Sequence, residues 1–156
     1  MQNEINENSL NRTIDELVSK GCITKSIAEK IKIHSIIEFF NSDLGKLLRD
    51  KKNTVLREWP FTYAASVYEL HPNLNNSTDE KIIVQGIIDM LVRTPNEAVI
   101  IDFKTDRVKP ADVSQRAENY ASQIKWYCRA TGEILGVKKV EGWLYFLNAD
   151  MQFKVV

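Results

Sequence analysis

The sequence has little cysteine, no long apolar run and no excess of charge of either sign. Its two cysteines, Cys22 and Cys128, are too few for a four-thiolate zinc or iron–sulfur site, and free thiols are typical of a reducing compartment. No apolar run approaches the ~20 residues of a membrane span, and the opening MQNEINENSLNR lacks the apolar stretch of a signal peptide. These absences predict a soluble, cytoplasmic protein without an iron–sulfur cluster, in which both cysteines are semi-buried.

Charge is balanced over the whole chain. Lysine plus arginine total 21, as do aspartate plus glutamate, so the formal net charge is zero. Proteins that bind nucleic acid through a strongly basic surface carry an excess of cations, which is missing here. Any contact with DNA must therefore be local or shared with a partner. The length of 156 residues and the hydrophobic content of 44% fit one domain with a substantial core.

The first third of the chain has the pattern of short helices. Apolar residues recur at helical spacing between residues 10 and 18, and Gly21 follows where a C-terminal cap belongs. Ser35 and Glu38 have the spacing of a capping box, and Ser42 is placed to cap the next helix. We therefore expect residues 1–53 to form a helical lead-in whose role is packing.

An alternating pattern begins at Thr54 and predicts strands. The polar run HPNLNNSTDE, residues 71–80, joins the first strand to a second, KIIVQGIIDMLV, and the turn TPNE leads to a third, AVIIDFKTD. Three successive strands with these connections predict an antiparallel meander. Alternate positions of the first strand are expected on one side of it: Val55, Arg57, Trp59, Phe61 and Tyr63.

Helical periodicity returns after Pro110. A long helix is expected from about Val113 to Thr131, where Gly132 would end it, and the strands VEGWLYFLN and MQFKVV follow. The order of helices, three strands, one helix and two strands contains no repeat. It predicts an α/β or α+β domain with a central mixed sheet flanked by helices.

Three charged side chains are expected to converge in the sheet. Alternation in the third strand puts Asp102 and Lys104 on one face. In the second strand, Asp89 is the one carboxylate on a face whose other members are Ile83, Gln85, Ile87 and Leu91. If the two strands pair through the TPNE turn, the carboxylates approach each other and need compensating positive charge.

A divalent cation could supply that charge. Mg²⁺ prefers hard oxygen ligands, so Asp89, Asp102 and the backbone carbonyl of Phe103 are candidate metal ligands. Lys104 would then be placed to orient the attacking water, assist its deprotonation or stabilise charge on a phosphate. The alternative is a surface ion pair between Asp102 and Lys104, worth less than ~1 kcal/mol. The apolar run VIID and the second isolated aspartate favour the metal site.

These segments resemble a known nuclease family. QGIIDMLV and AVIIDFKTDRV are similar to the G-(I/V)-x-D and D-(Y/F)-K-T-D segments of the RecB-like branch of the PD-(D/E)XK nucleases. The resemblance places the two motif aspartates of the family on Asp89 and Asp102, and its lysine on Lys104. It implies a restriction-endonuclease-like fold, with residues 54–156 as the catalytic core. It also implies Mg²⁺-dependent hydrolysis of DNA, with Mn²⁺ as a substitute cation.

Two further segments extend the resemblance. YASQIKWY is similar to the family's Y-x-x-Q-φ-x-x-Y segment, and it puts Tyr120, Gln123 and Tyr127 on one helical face toward a DNA strand or the active site. By spacing alone, both tyrosines are more typical of core residues with a solvated hydroxyl, whereas the amide of Gln123 needs a partner. REWPF resembles R-E-x-P-F, which makes Glu58 a candidate site residue, and an exposed strand glutamate is the alternative.

The segment KGCITKSIAEKIKIHSIIEFFNSDLGKLL is similar to the region before the nuclease motifs in AddA subunits of AddAB helicase–nucleases, so the resemblance covers nearly the whole chain. It implies an exonuclease that receives single-stranded DNA during double-strand break repair and recombination, with an AddB-type partner subunit. The family's G-T-x-x-H histidine ligand is not matched, because His34 and His71 lie in other segments. Without that motif or a Walker A motif, we expect a C-terminal fragment of a helicase/nuclease, with no nucleotide site.

Two other functions stay open. Without the histidine ligand, the same fold could bind a partner subunit or DNA and cleave nothing. A PD-(D/E)XK enzyme of another kind, such as a Holliday-junction resolvase or a restriction endonuclease, would be expected to act as a free-standing dimer.

Overall fold

The computed structural model describes residues 5–67 and 80–156, in which helices precede a five-stranded sheet. The helices are α1 (Glu7–Ser19), α2 (Lys25–Ala28), α3 (Ile33–Asn41), α4 (Asp43–Arg49) and α5 (Val113–Leu135), the last preceded by a 3₁₀ turn at Pro110–Asp112. The strands are β1 (Thr54–Ser66), β2 (Lys81–Arg93), β3 (Ala98–Lys104), β4 (Val140–Phe146) and β5 (Met151–Lys154). Apart from Glu80, the predicted loop at residues 71–80 lies outside the described residues, as does His71.

The sheet is mixed and has the strand order β1-β2-β3-β4-β5. β1, β2 and β3 pair antiparallel in succession, β3 and β4 pair parallel, and β5 returns antiparallel to β4. Parallel neighbours need a crossover connection, which α5 supplies between β3 and β4. The predicted meander, and the predicted mixed sheet flanked by helices, are therefore confirmed.

Helices cover both faces of the sheet. On one face α5 packs against β2, β3 and β4, and the buried members of this α5-side core include Ile88, Ile100, Ile124 and Leu144. On the other face α3 and α4 pack against the same strands, and this α3-side core includes Phe39, Leu44, Val99, Ile101 and Tyr145. α1 buries no residue of its own and lies against α2 and α3. The two cores together enclose β3 on both faces.

The seam between α5 and β4 is tight at Gly142. A Cβ atom at this position would lie 2.3 Å from Ile124 Cγ2 and 2.7 Å from Cys128 Sγ, so only glycine fits here without a shift of the helix. Burial in this seam raises the pKa of the Cys128 thiol to about 12. Cys22, in contrast, is exposed. The prediction of two semi-buried cysteines was therefore wrong: one thiol is solvated and the other is inaccessible.

The start of α3 differs from the prediction. α3 begins at Ile33, with Lys32 at its N-cap and no side-chain cap. Ser35 therefore lies inside the helix and is buried, so the predicted capping box between Ser35 and Glu38 was wrong. Burial of the α3 face that carries Ser35 outweighs its weak local preference for a cap. Ser42 does cap α4, because its side chain accepts a hydrogen bond from the backbone N–H of Gly45.

The end of α5 also differs from the prediction. The helix continues past Gly132 to Leu135, which packs against the α5-side core. Gly136 then ends the helix with a φ of 64°, the left-handed region that favours glycine. A glycine within a helix costs about 1 kcal/mol relative to alanine, and packing of the last turn offsets that cost here.

Side-chain alternation reverses halfway along β1. Glu58 has a φ of 47°, a left-handed conformation that interrupts the strand between Arg57 and Trp59. Val55 consequently packs on the α3 side, whereas Trp59 and later residues pack on the α5 side. The predicted common side for Val55, Arg57, Trp59, Phe61 and Tyr63 was therefore wrong.

The same reversal affects β2, which pairs with β1 at this point. Ile83 and Ile87 are 60% and 58% exposed, whereas Leu91 is fully buried in the α5-side core. Ile83, Gln85 and Ile87 therefore do not share a face with Leu91, contrary to the prediction. Asp89 is the β2 residue that lies opposite Glu58. The side-chain alternation of β2 therefore reverses at Asp89, one of the predicted metal ligands.

Candidate active site

The candidate site lies where β2 and β3 separate. Their pairing runs from Arg93 with Ala98 to Met90 with Ile101 and then stops, although β3 continues alongside β4 as far as Lys104. Asp89 and Asp102 are the next residues along the two strands. The separation leaves a gap on the β2 side of β3, which we call the strand gap. Backbone groups of β3 that face this gap have no β2 ladder partner.

Asp89 fills part of the strand gap. Its Oδ2 atom accepts a hydrogen bond of 2.9 Å from the backbone N–H of Phe103. The N–H and C=O of one strand residue point to the same edge, so the Phe103 carbonyl also faces the gap. The next carbonyl, that of Lys104, points to the opposite edge and accepts a hydrogen bond from Leu147 N at 2.9 Å. Asp89 and the Phe103 carbonyl therefore share the strand gap, as their predicted roles require.

Asp102 is buried beside Lys104. The residue is 4% exposed, and Lys104 Nζ lies 2.6 Å from its Oδ2 atom. The ammonium and the carboxylate form a buried ion pair, and the described residues supply no further hydrogen-bond donor to this oxygen. Burial raises the pKa of the Asp102 carboxyl, contact with Lys104 lowers it in part, and the charge of Asp89 raises it further. The pair is thus buried, contrary to the alternative of a surface ion pair.

α5 brings an amide and two phenols to this pair. Lys104 Nζ donates to Gln123 Oε1 at 3.4 Å and lies 4.1 Å from the centre of the Tyr120 ring. Gln123 Nε2 in turn donates to the hydroxyl of Tyr127 at 2.9 Å. Gln123 therefore has partners on both sides, as expected for an amide on this face. The hydrogen bonds from Lys104 to Gln123 and from Gln123 to Tyr127 connect β3 to α5.

Tyr127 also belongs to the core. Its ring meets the ring of Phe61 edge-on, with 5.2 Å between the centroids. Gly86 in β2 makes room for both rings, since a Cβ atom there would lie 2.8 Å from each of them. The core interpretation of Tyr127 is therefore confirmed for its ring, which packs against the α5-side core, and its hydroxyl accepts the hydrogen bond from Gln123.

Asp106 and Arg116 adjoin the site, although neither was predicted as a site residue. Arg116 forms an ion pair with Asp106, and the Tyr120 hydroxyl donates to the two carboxylate oxygens of Asp106 at 3.1 and 3.0 Å. The hydrogen bond from Arg116, followed by that from Tyr120, lowers the pKa of Asp106. This network fixes the Tyr120 ring against Lys104. The available signal was Asp106 as the last residue of the D-(Y/F)-K-T-D segment.

Comparison with known protein families gives a match over most of the chain. Residues 4–154 match the PD-(D/E)XK nuclease superfamily. The chain belongs to this superfamily. The resemblance seen in the motifs is thereby confirmed, and a nuclease is the class of activity that family membership supports.

Curated relatives of this PD-(D/E)XK chain are named as subunits of an ATP-dependent helicase/nuclease. The protein from Clostridium kluyveri is 37% identical over 139 residues, which is 88% of this chain and 11% of the relative. The protein from Moorella thermoacetica is 36% identical over 149 residues, 94% of this chain and 10% of the relative. The protein from Carboxydothermus hydrogenoformans is 32% identical over 155 residues, which is 99% of this chain and 13% of the relative. The chain thus spans about a tenth of the length of these relatives.

Two further residues of this PD-(D/E)XK chain lie apart from the charged cluster. Glu58 is exposed, and it makes no hydrogen bond or ion pair within the described part of the chain, although it lies across from Asp89. His34 is 77% exposed on α3, where Glu38 is its neighbour at 4.0 Å. Neither side chain forms a hydrogen bond or ion pair with Asp89, Asp102 or Lys104 in the described part of the chain.

The described residues contain no group of three or more His, Cys, Asp or Glu side chains placed to hold a metal ion. The oxygen donors of this superfamily member near the strand gap are two carboxylates, those of Asp89 and Asp102, and the Phe103 carbonyl. No helix in the described segments is long and apolar enough to cross a membrane.

Proposed function

We propose that this chain is a metal-dependent DNA nuclease that hydrolyses phosphodiester bonds at the strand gap. The observation that carries the proposal is the buried Asp102 carboxylate, which is paired with the ammonium of Lys104 and lies close to a second carboxylate, that of Asp89. Two neighbouring carboxylates repel each other, and the single ammonium of Lys104 offsets only part of the cost of holding one of them buried, so a further cation would be stabilised here. PD-(D/E)XK nucleases generally use divalent metal ions.

The donors fit a hard divalent cation. Mg²⁺ often takes one or two carboxylates and completes its coordination with waters and substrate phosphate oxygens. Asp89, Asp102 and the Phe103 carbonyl would hold Mg²⁺, or Mn²⁺ in its place. Bound there, the cation would polarise a phosphoryl oxygen and offset the charge that develops during hydrolysis.

The chain's own cation acts beside these ligands. Lys104 is 15% exposed, and three contacts fix its ammonium: the Asp102 carboxylate, Gln123 Oε1 and the face of the Tyr120 ring. A positive charge held in a partly dry site would orient the attacking water and stabilise a negatively charged phosphate. Gln123 and Tyr127 would position Lys104 and contact the strand, and Glu58 would act only if the substrate or the cation reached it.

We also propose a wider setting for this activity. The name of the relatives supports a nuclease that works with an ATP-dependent helicase. We take it to be an exonuclease that acts on single-stranded DNA. In that setting, residues 54–156 form the catalytic core of one nuclease domain, residues 1–53 its helical lead-in, and an AddB-type protein its partner. Its role would be processing of double-strand breaks for repair and recombination in the cytoplasm.

A cleavage assay tests the proposal. Supercoiled and linear DNA are incubated with the protein and Mg²⁺ or Mn²⁺, and products are followed on gels. Asp102→Ala and Lys104→Ala should each lower cleavage at least 100-fold, because each removes a charge held at the reacting centre. Asp15→Ala and Lys51→Ala, which change exposed residues outside the site, are the matched controls. Undiminished cleavage by both site variants would contradict the assignment.

A second candidate function, binding without cleavage, is favoured by the small number of oxygen ligands available to a metal ion. Because the described residues hold no cluster of three or more metal-binding side chains, the fold would also suit a module that binds DNA or a partner without cleavage. Calorimetric titration with Mn²⁺ separates the two candidates. The nuclease requires binding that is lost in Asp89→Ala and Asp102→Ala, whereas the inactive module should take up no cation at these residues.

A further inference from the structure

A basic cleft lies beside the candidate active site. Its volume is about 840 Å³, and its lining comes from the segments 30–36, 105–109 and 147–148. Four lining residues are cations, Lys30, Lys32, Arg107 and Lys109, and none is acidic. Cations and anions are equal in number over the whole chain, so the cleft is a local excess of positive charge that the net charge conceals.

The four cations of the basic cleft have no acidic partner in the described part of the chain. The ion pairs found there use other lysines and arginines, such as Lys104, Arg116 and Lys139. Lys32 Nζ donates instead to the neutral Asn148 Oδ1 at 2.7 Å. Four unneutralised cations around one cleft repel each other, and an anion with charges along its length would relieve that repulsion.

The basic cleft is joined to the end of the catalytic strand. Thr105, which follows Lys104, is one of its lining residues, and Lys104 O accepts a hydrogen bond from Leu147 N at 2.9 Å. Asn148 Nδ2 donates to the carbonyls of Thr105 at 2.6 Å and Asp106 at 3.3 Å. Asn148 therefore ties the loop after β3 to Lys32, so the cleft begins where the catalytic strand ends.

The lining indicates which part of a nucleic acid would be contacted. The uncharged residues are mainly aliphatic, and none is aromatic, so the cleft offers no platform on which bases could stack. Unpaired lysines and arginines bind phosphate oxygens regardless of sequence. We propose that the basic cleft binds the phosphodiester backbone of the DNA strand that is cut at the strand gap, an inference that therefore rests on the proposed function.

Binding without cleavage tests the inference. Fluorescein-labelled oligo(dT) is titrated with the whole chain in EDTA, and anisotropy gives Kd at several salt concentrations. The variant Lys30→Gln/Arg107→Gln/Lys109→Gln should bind about tenfold more weakly or worse. For a single strand, each lost phosphate contact lowers the slope of log K against log salt by about 0.7, so this variant should lose about 2. Thermal melting followed by circular dichroism confirms that it is folded.

The matched control removes three charges elsewhere. Lys51→Gln/Lys52→Gln/Lys138→Gln changes exposed lysines outside the basic cleft and should keep Kd within about twofold of the unmodified chain. Equal weakening in both triple variants would overturn the inference, because attraction would then be spread over the surface. Displacement of the oligonucleotide by dTMP at equal nucleotide concentration would also overturn it, since the cleft would then be a mononucleotide pocket.

The assay separates this inference from the nuclease activity. Cleft-dependent binding in a protein that never cleaves DNA would uphold the cleft while the proposed function failed. Cleavage at the strand gap with no change in Kd for the cleft variant would leave the nuclease standing and reject the cleft. Asp15→Ala, which changes an exposed carboxylate outside both the strand gap and the cleft, should bind oligo(dT) in EDTA as tightly as the unmodified chain does.

Discussion

At the scale of single residues, the burial of the Asp102 carboxylate carries a cost in stability. A carboxylate at 4% exposure has lost most of its hydration, and Lys104 restores only part of the interaction. The raised pKa of Asp102 shows that folding disfavours its charged form. Functional sites commonly carry such a cost, because groups arranged for a ligand are imperfectly satisfied without it.

Asp102→Asn should therefore be at least as stable as the unmodified chain in EDTA, since the substitution removes a buried charge. Lys104 keeps Gln123 and the Tyr120 ring as partners. Mn²⁺ should stabilise the unmodified chain, by ~2.7 kcal/mol at 100 times its Kd, and should leave the variant unchanged. Differential scanning fluorimetry over a cation titration measures both effects. An equal cation-dependent rise in Tm for Asp102→Asn would contradict the metal site, and Asp15→Asn should respond like the unmodified chain.

Glu141 in β4 predicts how stability depends on pH. Its Oε1 atom lies 2.9 Å from Lys154 Nζ and 3.1 Å from Lys139 Nζ, and its Oε2 accepts a hydrogen bond from Trp143 Nε1 at 3.2 Å. These contacts, Lys154 first, lower the pKa of Glu141 from 4.5 to about 2. A lowered pKa gives stability that is present above the unfolded value and is lost as pH falls toward 2.

Glu141→Gln should accordingly lose stability at pH 6 and approach the unmodified chain at pH 2. The lysines are solvated, so the expected difference at pH 6 is only about 1 kcal/mol. Urea denaturation at intervals between pH 2 and pH 6 measures it. Glu133→Gln, which alters an exposed carboxylate on α5, is the matched control and should show no such trend. A difference that is constant with pH would rule out the ionic explanation.

At the scale of elements, Gly86 determines how closely the β1–β2 hairpin approaches α5. The rings of Phe61 and Tyr127 occupy the space where a Cβ atom would lie. Gly86→Ala should therefore destabilise the fold by about 1–3 kcal/mol, as overpacking of a core does. Displacement of Tyr127 would also disturb its hydrogen bond with Gln123, so cleavage should fall together with stability.

Gly132→Ala is the control for Gly86→Ala. Gly132 lies within α5, where an added Cβ would meet its nearest neighbour at 3.4 Å, and alanine is the better helix former by about 1 kcal/mol. This variant should be as stable as the unmodified chain or more so, measured by urea denaturation. Equal losses at both glycines would show that side-chain volume at Gly86 is not the cause.

The sequence predicted the helices and strands better than it predicted which side chains lie on each face of the sheet. β3 keeps an uninterrupted alternation, so Asp102 and Lys104 were correctly placed together. The side-chain alternation of β1 and β2 reverses at Glu58 and at Asp89 opposite it. A positive φ at a residue other than glycine is uncommon, and no local sequence signal marks it. The bond from Phe103 N–H to Asp89 could not be predicted either, because it depends on the separation of β2 from β3. That separation is a property of the assembled sheet.

The basic cleft shows the same limit. Its cations come from segments that are far apart in the sequence, and no run of lysines or arginines marks them. Those segments are brought together by the packing of α3 against the end of β3, where the ring centroids of Phe39 and Phe103 lie 4.9 Å apart, and by the hydrogen bonds of Asn148. Composition alone gave a net charge of zero, which is correct for the molecule and uninformative about this surface.

At the scale of the whole molecule, residues 1–53 and 54–156, the predicted helical lead-in and catalytic core, are not separate packing units. α3 and α4 precede β1 in sequence, yet Phe39 and Leu44 are buried against Val99, Ile101 and Tyr145 of the sheet. α1 buries no residue and lies against α2 and α3. Residues 1–53 therefore contain two parts that differ in their contribution to the core. α1 is an outer helix, whereas α3 and α4 form a layer that completes the core.

Two shortened proteins distinguish these parts. Deletion of residues 1–22 removes α1 and should cost less than ~2 kcal/mol, since half-buried contacts alone are lost. Deletion of residues 1–53 removes Phe39 and Leu44 as well. Loss of one buried phenylalanine side chain alone costs about 3–5 kcal/mol, so the sheet face left bare should prevent folding as a monomer. Size-exclusion chromatography and urea denaturation report both results. Residues 54–156 folding alone with unchanged stability would show instead that the α3-side core is dispensable and that residues 1–53 serve another purpose.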